Sequence, residues 1–472
     1  MRSWDAERVA RAAGAKLLSG PAPGRPRGPA GACIDSRRVA GGELFIGLPG
    51  ARVDGGEHAP AALDAGAWGV LVAPPHAQAA AERAVFGAGG AVLEHPDPLA
   101  AMQALASAWR AELQERGARV VAITGSTGKT STKDILAALL APLAPTVASP
   151  ENHNTEIGLP LAILDAGEDV QVLVLEMAMR GAGQIAQLTA IAEPDVGVVV
   201  NVGPAHLELL GSLEAVAAAK AELIAGLRPG RAIVLPFGEP LLERHLRSDV
   251  RQLTFGGPGA DVTLGEGLPD GGVVVREGDL QMRLWPSFKQ AHNLLNLLAA
   301  VAAARSLGYT PTGPLQVGFS EMRGQRVALA GGGVLIDDSY NANPMSMRAA
   351  LEDLAASAPG RRVAVLGEML ELGPQAPALH REIGRYAAAQ GVELLVAVGP
   401  LAAEMAGAFD GEAHTVPDAE RAAALLEGLL AAGDTVLVKA SRGVGLERVS
   451  AALARGEGTA SAGTRHAASE RL

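Results

Sequence analysis

The sequence predicts an α/β protein of three units: a small α/β unit, a central parallel sheet entered through a glycine-rich loop, and a doubly wound unit at the end. Three observations predict it. At 472 residues the chain exceeds what one hydrophobic core serves, and common domain sizes give about two to four cores. Short apolar runs alternate with helical stretches twice along the chain, the pattern of parallel strands covered by helices. Aromatic residues are only 3% of a chain that is 48% hydrophobic, which suits close-packed Ala, Val and Leu layers better than a sandwich built on aromatic cross-strand pairs.

Residues 1–96 hold the runs GELFIGL, WGVLVA and AVLEH between Gly- and Pro-rich turns, and read as the first unit. From Pro98 the helical pattern LAAMQALASAWRAELQER leads into RVVAI. The central unit, 97–323, continues with VQVLVLEM, VGVVVNV and RAIVLP, and a β-rich patch over 251–285 reads as antiparallel strands appended to its sheet. After Gly324 the runs GVLID, RRVAVLG, ELLVAVG and DTVLVKA each precede an Ala-rich helix; this last unit, 324–455, carries its ligand face at the strand C-termini. The tail 456–472, GEGTASAGTRHAASERL, reads as disordered.

Composition excludes several function classes. A formal charge of −11 argues against a general nucleic-acid binder, so any nucleotide is gripped locally. The single cysteine, Cys33, allows neither a disulfide framework nor a Cys-based metal site within one chain. The start MRSWDAERVARAAGA lacks a basic-then-apolar signal pattern, and no apolar run reaches about 18 residues unbroken. A cytoplasmic protein without a membrane partner is expected, a monomer as the simplest case. Positive charge is carried almost wholly by Arg; the lysines are Lys16, Lys129, Lys133, Lys220, Lys289 and Lys439, and a retained Lys points to a need for a compact ammonium or a titratable amine.

Residues 123–133, ITGSTGKTSTK, sit between RVVAI and the helix-like DILAALLAPL. Strand, glycine-rich turn, Lys-Thr and helix is the order that aims backbone N–H groups and a helix N-terminus at an anion. Gly125 and Gly128 allow the tight turn, Ser126, Thr127 and Ser131 line it, Lys129 reaches terminal phosphates, and the Thr130 hydroxyl suits Mg²⁺. The longer loop G-x-x-x-x-G-K-[ST] calls for glycine at position 123, which is Ile.

Glu176 ends VQVLVLEM and so lies at the ligand face of a parallel sheet, although a carboxylate there reads by itself as a solvated strand end. Asn201 and His206 follow the end of VGVVVNV. In SLEAVAAAKAELIAGL, Lys220 stands among alanines and reads by itself as a surface lysine laid along its helix.

TGSTGKTSTK, ENHNTEIGLP at 151–160, LEMAMRG at 175–181, NVGPAHLELLGS at 201–212 and AAKAEL at 218–223 together resemble the Mur ligase superfamily, whose shorter loop T-G-[ST]-x-G-K-T accounts for Ile123. The resemblance spans about residues 30–450. DDSYNANPMSM at 337–347 and GEMLELG at 367–373 are similar to the members that join D-alanyl-D-alanine to UDP-N-acetylmuramoyl-tripeptide, and the D-N-P-R segment of the diaminopimelate-adding members is absent. The resemblance implies an ATP-driven ligase working through an acyl phosphate. It makes Lys129 and Thr130 phosphate and Mg²⁺ groups, Glu176 and His206 further metal ligands, and Lys220 a lysine carrying a carbamate, with two Mg²⁺ ions in all. His292, Asn293 and Asn296 of AHNLLN would face adenine, and Arg323 or Arg326 with Asp338 would reach ATP from the third unit. Ser36, Arg37, Phe45 and Asp54 would meet the UDP end of the substrate. Asn154 and Thr155, with Asn341, Asn343, Lys439, Ser441 and Arg442, would surround the peptide substrates. Two other readings remain at this point: another amide ligase of the superfamily, of the folylpolyglutamate synthase type, and a non-catalytic nucleotide switch.

Overall fold

A computed structural model describes residues 1–150 and 152–455 of the chain. The expectation for the tail 456–472 falls outside the described residues.

Each unit is organised by one sheet. The first has the order Lys16–Ser19, Ala91–Glu94, Gly69–Val72, Leu44–Ile46, Ala32–Cys33, with only the first pair antiparallel. Its inner strands are the three apolar runs of the sequence. The two outer strands, of 4 and 2 residues, are too short to show a period.

In the central sheet, Thr146–Ala148, Val172–Glu176, Arg119–Thr124, Val196–Val199, Ala232–Pro236 and Arg251–Gly256 are successive parallel neighbours. The three strands at its centre are buried along nearly their whole length, which is why they read as continuous apolar runs. The antiparallel reading of 251–285 is corrected in part. Arg251 lies opposite Ala232 in a parallel ladder, because the short helix Pro240–Glu243 carries the chain back to the starting end of the sheet. Val262–Gly267 also starts parallel to its neighbour, across a turn in which Asp261 Oδ2 accepts from the Thr254 amide at 2.8 Å and the Thr254 hydroxyl at 2.7 Å. Antiparallel pairing begins only with Val273–Glu277 and Leu280–Pro286.

The last sheet has the order Gln325–Ala328, Val334–Asp337, Thr435–Lys439, Arg362–Gly367, Leu394–Val398, Glu412–Val416. The first pair is antiparallel and the others parallel. This is the doubly wound unit expected, with two edge strands the sequence does not announce.

Helix Pro98–Glu115 packs the first unit onto the second. Trp109 meets Trp4 edge-on at 5.3 Å between ring centres, and its Nε1 donates to the Ala166 carbonyl at 3.0 Å. Among the described residues no helix is long and apolar enough to cross a membrane.

Candidate functional site

Strand Arg119–Thr124 lies between Val172–Glu176 and Val196–Val199, with Ile123 opposite Glu176 and Thr124 opposite Val199. Three parallel strands therefore end side by side and deliver the glycine-rich loop, Glu176 and Asn201 to one edge. Gly128 takes φ +77°, and a Cβ there would stand 2.6 Å from Asn296 Oδ1, so only glycine fits between the loop and the neighbouring helix. Helix Lys129–Leu140 follows at once. Asn201 clamps the loop: its Oδ1 accepts from the amides of Ser126 and Thr127, both at 3.0 Å, and its Nδ2 donates to the Thr127 carbonyl at 3.1 Å. The Ser126 hydroxyl donates to the Gly203 carbonyl and accepts from the Gly203 amide, both at 2.9 Å.

Glu176 is 1% exposed and is no solvated strand end. The Thr130 hydroxyl donates to its Oε2 at 2.7 Å and Asn154 Nδ2 to its Oε1 at 2.9 Å, because the segment after Ser149 folds back over the strand end. Lys129 Nζ donates to the Gly125 carbonyl at 3.0 Å. Burial pulls the Lys129 pKa down, with Glu176 opposing and Arg323 adding to the shift.

Lys220 is likewise 1% exposed, which overturns its reading as a surface lysine. Its helix, Leu213–Gly226, is covered by helix Gln184–Ala192, by strand Val196–Val199 and by the short helices on either side of it in sequence, which bury the face that carries Lys220. Among the described residues its amine has no hydrogen bond or ion pair. Burial, and then the charge of Lys129, hold its pKa well below that of a free lysine.

His206, at φ +56°, pairs through Nδ1 with Glu371 Oε2 of the last unit at 2.5 Å. Burial lowers its pKa, Glu371 works in the opposite direction, and Lys129 and Lys220 push it down further. His292, Asn293 and Asn296 occupy the first turns of helix Ala291–Ser306, which packs along helix Lys129–Leu140. Asn296 Nδ2 donates to Asn293 Oδ1 at 3.3 Å, and burial lowers the His292 pKa.

From the last unit, Asn343 caps helix Pro344–Ser357 and sends Nδ2 to the Ser126 carbonyl at 3.2 Å, so the unit touches the loop itself. Lys439 Nζ donates to Asp338 Oδ2 at 2.6 Å and to the Asn341 carbonyl at 2.9 Å. Ser441 Oγ donates to the Ala342 carbonyl at 3.3 Å. The two arginines differ. Arg326 is tied to Asp353 at 2.8 and 3.0 Å, whereas the Arg323 guanidinium stacks on Tyr340 at 4.1 Å and its Nε is buried without a partner. Arg442 lies 5.7 Å from the same ring.

These residues border one cleft of about 1490 Å³ between the second and third units; Thr155 and Ser131 are on its wall. Gly125 and Lys220 are not part of its lining. Ser36, Arg37, Phe45 and Asp54 are outside it altogether, in the first unit. Arg37 forks onto Asp35 at 2.9 and 2.8 Å from the short turn begun by Ser36. Asp54 accepts from the Gly56 amide and pairs with His76 Nε2, both at 2.9 Å, and these bonds lower its pKa, that to His76 foremost. Phe45, 1% exposed, is part of the first unit's core.

Among the described residues no three His, Cys, Asp or Glu side chains converge as a ready metal cage. The hydroxyl of Thr130 and the carboxylate of Glu176 beside a phosphate-type loop are still the donor set Mg²⁺ takes, since that ion uses one or two protein oxygens and completes its shell with water and substrate phosphates. Sequence reasoning did not give Tyr340, Asp353 or Glu371 a place in the site. Glu371 lay in plain view within GEMLELG, but its partner is 165 positions away.

Family models match along the chain: "Mur ligase family, catalytic domain" over 30–110, "Mur ligase middle domain" over 123–304 and "Mur ligase, glutamate ligase domain" over 322–442. A Mycobacterium tuberculosis protein named UDP-N-acetylmuramoyl-tripeptide--D-alanyl-D-alanine ligase is 38% identical, over 89% of this chain and 91% of its own. A Bacillus subtilis protein of the same name is 33% identical over 89% and 92%. Among solved structures, MurF from Acinetobacter baumannii superposes with a TM-score of 0.82 at 27% identity, covering 96% of this chain and 99% of that one. MurF ligase from Thermotoga maritima in complex with ADP gives 0.74 at 30% identity, covering 90% and 97%.

Proposed function

The chain belongs to the Mur ligase family, and from that premise we propose that it joins D-alanyl-D-alanine to UDP-N-acetylmuramoyl-tripeptide, with ATP cleaved to ADP and phosphate. The observation that carries the reading is the convergence on one cleft of the clamped loop, the Thr130–Glu176 pair and, from the last unit, Asn343 and Lys439. A binding switch has no need of a third unit reaching into its phosphate loop.

ATP lies with its phosphates on the amides of residues 128–130 at the start of helix Lys129–Leu140, those of Ser126 and Thr127 being held by Asn201, and with its base by His292, Asn293 and Asn296. Lys129, released from the Gly125 carbonyl, places its ammonium on the terminal phosphate, where charge builds as the phosphoryl group moves. The free carboxylate of the tripeptide takes that phosphoryl group, and the dipeptide amine then displaces phosphate from the acyl phosphate to form the amide. Two Mg²⁺ ions would supply neutralisation of the phosphate oxygens; Thr130 and Glu176 would hold the first, and His206 with a carbamate on Lys220 the second. Lys220 suits that modification because its burial favours the un-ionised amine, and only an un-ionised amine adds CO₂, losing a proton as the N–C bond forms. Arg323, freer than Arg326, is the arginine that reaches ATP. Arg37 and Asp54 meet the UDP end of the substrate from the short turns that flank strand Leu44–Ile46, where Phe45 sits inside the core. The reaction takes place in the cytoplasm on a monomer.

Phosphate release tests this directly. With UDP-muramoyl tripeptides that differ at the third residue, release should require both a tripeptide and D-alanyl-D-alanine. Slow ATP hydrolysis indifferent to either would return the switch reading, and indifference to the UDP-linked substrate alone would return the folylpolyglutamate-type ligase.

A further inference from the structure

The joint between the second and third units is made by contacts of unusual definition. The middle unit offers the segment after Asn201, and the last unit offers the turn after strand Arg362–Gly367. Glu371 Oε2 holds His206 Nδ1 at 2.5 Å, and the Glu371 carbonyl accepts from the Glu208 amide at 3.0 Å. Both His206 and Glu371 adopt positive φ, +56° and +63°, a backbone strain that persists only where surroundings over-determine it.

The surroundings of Glu371 are rigid. The Leu370 amide donates to Ser441 Oγ at 2.9 Å, the Met369 amide to His380 Nε2 at 3.0 Å and the Ser441 amide to the Glu368 carbonyl at 3.0 Å. The turn is thus bolted to its own sheet before it meets the middle unit. A carboxylate on Nδ1 requires that nitrogen to carry the proton, which leaves Nε2 with the lone pair. That is the tautomer a histidine needs in order to ligate a cation, and carboxylate partners of this kind orient metal-binding imidazoles.

We propose that Glu371 is a positioning residue for the ligase reaction: from across the joint it fixes the tautomer and orientation of His206, so that the cation site is complete only when the third unit is docked. The idea rests on the reading of His206 given above, but it makes a claim of its own about the protein without substrates. Glu371 touches no reacting atom. It reports, through one imidazole, that the unit bearing Asn343 and Lys439 is in place.

The test uses full-length protein with ¹⁵N-histidine, free of nucleotide and metal, the His206 signals being assigned by difference from His206→Gln. The wild type should show His206 protonated at Nδ1 and bare at Nε2. In Glu371→Ala the balance should move toward the Nε2-protonated form, and in Glu371→Gln, whose side-chain oxygen still accepts, it should stay near wild type. In the ligase assay Glu371→Ala should raise the Mg²⁺ concentration for half-maximal rate about 10- to 100-fold, with Glu371→Gln between it and wild type. The KM for the UDP-linked substrate should not move. A wild-type His206 protonated at Nε2, or a Glu371→Ala protein with unchanged tautomer and Mg²⁺ dependence, would overturn the proposal. Should Glu371→Ala fail to fold, the wild-type spectrum and Glu371→Gln still decide it. If the wild type lacks ligase activity altogether, the functional reading fails while the spectra still judge Glu371.

Discussion

Lys220→Met should make the protein more stable and nearly inactive at once. The lysine is 1% exposed and its amine has no partner among the described residues, so the fold bears the desolvation of a polar group without return. Burying a polar side chain that no protein group binds costs about 1–3 kcal/mol. Methionine, unbranched and of similar length, fills the same space without that penalty. For a unit of this size each kcal/mol moves Tm by about 2–4 °C, so the substitution should raise the Tm of the protein, in EDTA and CO₂-free buffer, by about 2–12 °C. The sign with pH follows from linkage. Burial and Lys129 hold the folded pKa below the unfolded value, so the unfolded chain binds the extra proton and wild-type stability rises with pH. The advantage of methionine should therefore shrink as pH rises toward about 10.4 and grow as pH falls below it. Ligase activity, read as phosphate release, should fall at least 100-fold if the carbamate supplies a metal ligand, and bicarbonate with Mg²⁺ should raise the wild-type Tm but not that of the variant. A Tm lowered by several degrees would mean that the amine has a structural partner, and full activity would remove the carbamate from the mechanism.

Asn201→Ala removes an acceptor shared by the Ser126 and Thr127 amides, each at 3.0 Å; at about 1 kcal/mol per bond, Tm should fall by about 4–8 °C, and ADP affinity by calorimetry should drop roughly 10-fold as the loop loosens. Gly203→Ala would place a Cβ 1.8 Å from Met345 Sδ, wedging the joint between the second and third units. Its turnover should fall several-fold and be recovered in the double variant with Met345→Ala, a coupling that a double-mutant cycle measures. Trp109→Ala should cost about 3–5 kcal/mol and lower Tm markedly, since it empties a fully buried site against Trp4, yet leave the KM for ATP unchanged in whatever fraction folds.

The sequence makes the loop and its sheet legible because their signals are local. Gly125, Gly128, Lys129 and Thr130 are neighbours in the chain, and the strands that flank them are buried on both faces and so read as unbroken apolar runs. Strand Glu412–Val416 escaped because it is an edge strand with a partly exposed, mixed sequence, and strand Arg251–Gly256 was misdirected because pairing direction depends on where the connection returns the chain. The same limit governs the site. Lys220 looks solvated in an Ala-rich helix, since alanine does not mark which face is covered, and only tertiary packing buries it. The resemblance to a family implies a site role for Lys220 that its local chemistry does not suggest. No local pattern links His206 to Glu371 across 165 positions.

The account turns on a phosphoryl group passing to the tripeptide carboxylate within this cleft. Tripeptide carrying ¹⁸O in both oxygens of its terminal carboxylate, incubated with ATP, Mg²⁺ and D-alanyl-D-alanine, should release phosphate bearing one ¹⁸O for each amide formed, the other remaining in the new carbonyl. Phosphate free of label, with amide formed in equal amount, would contradict it.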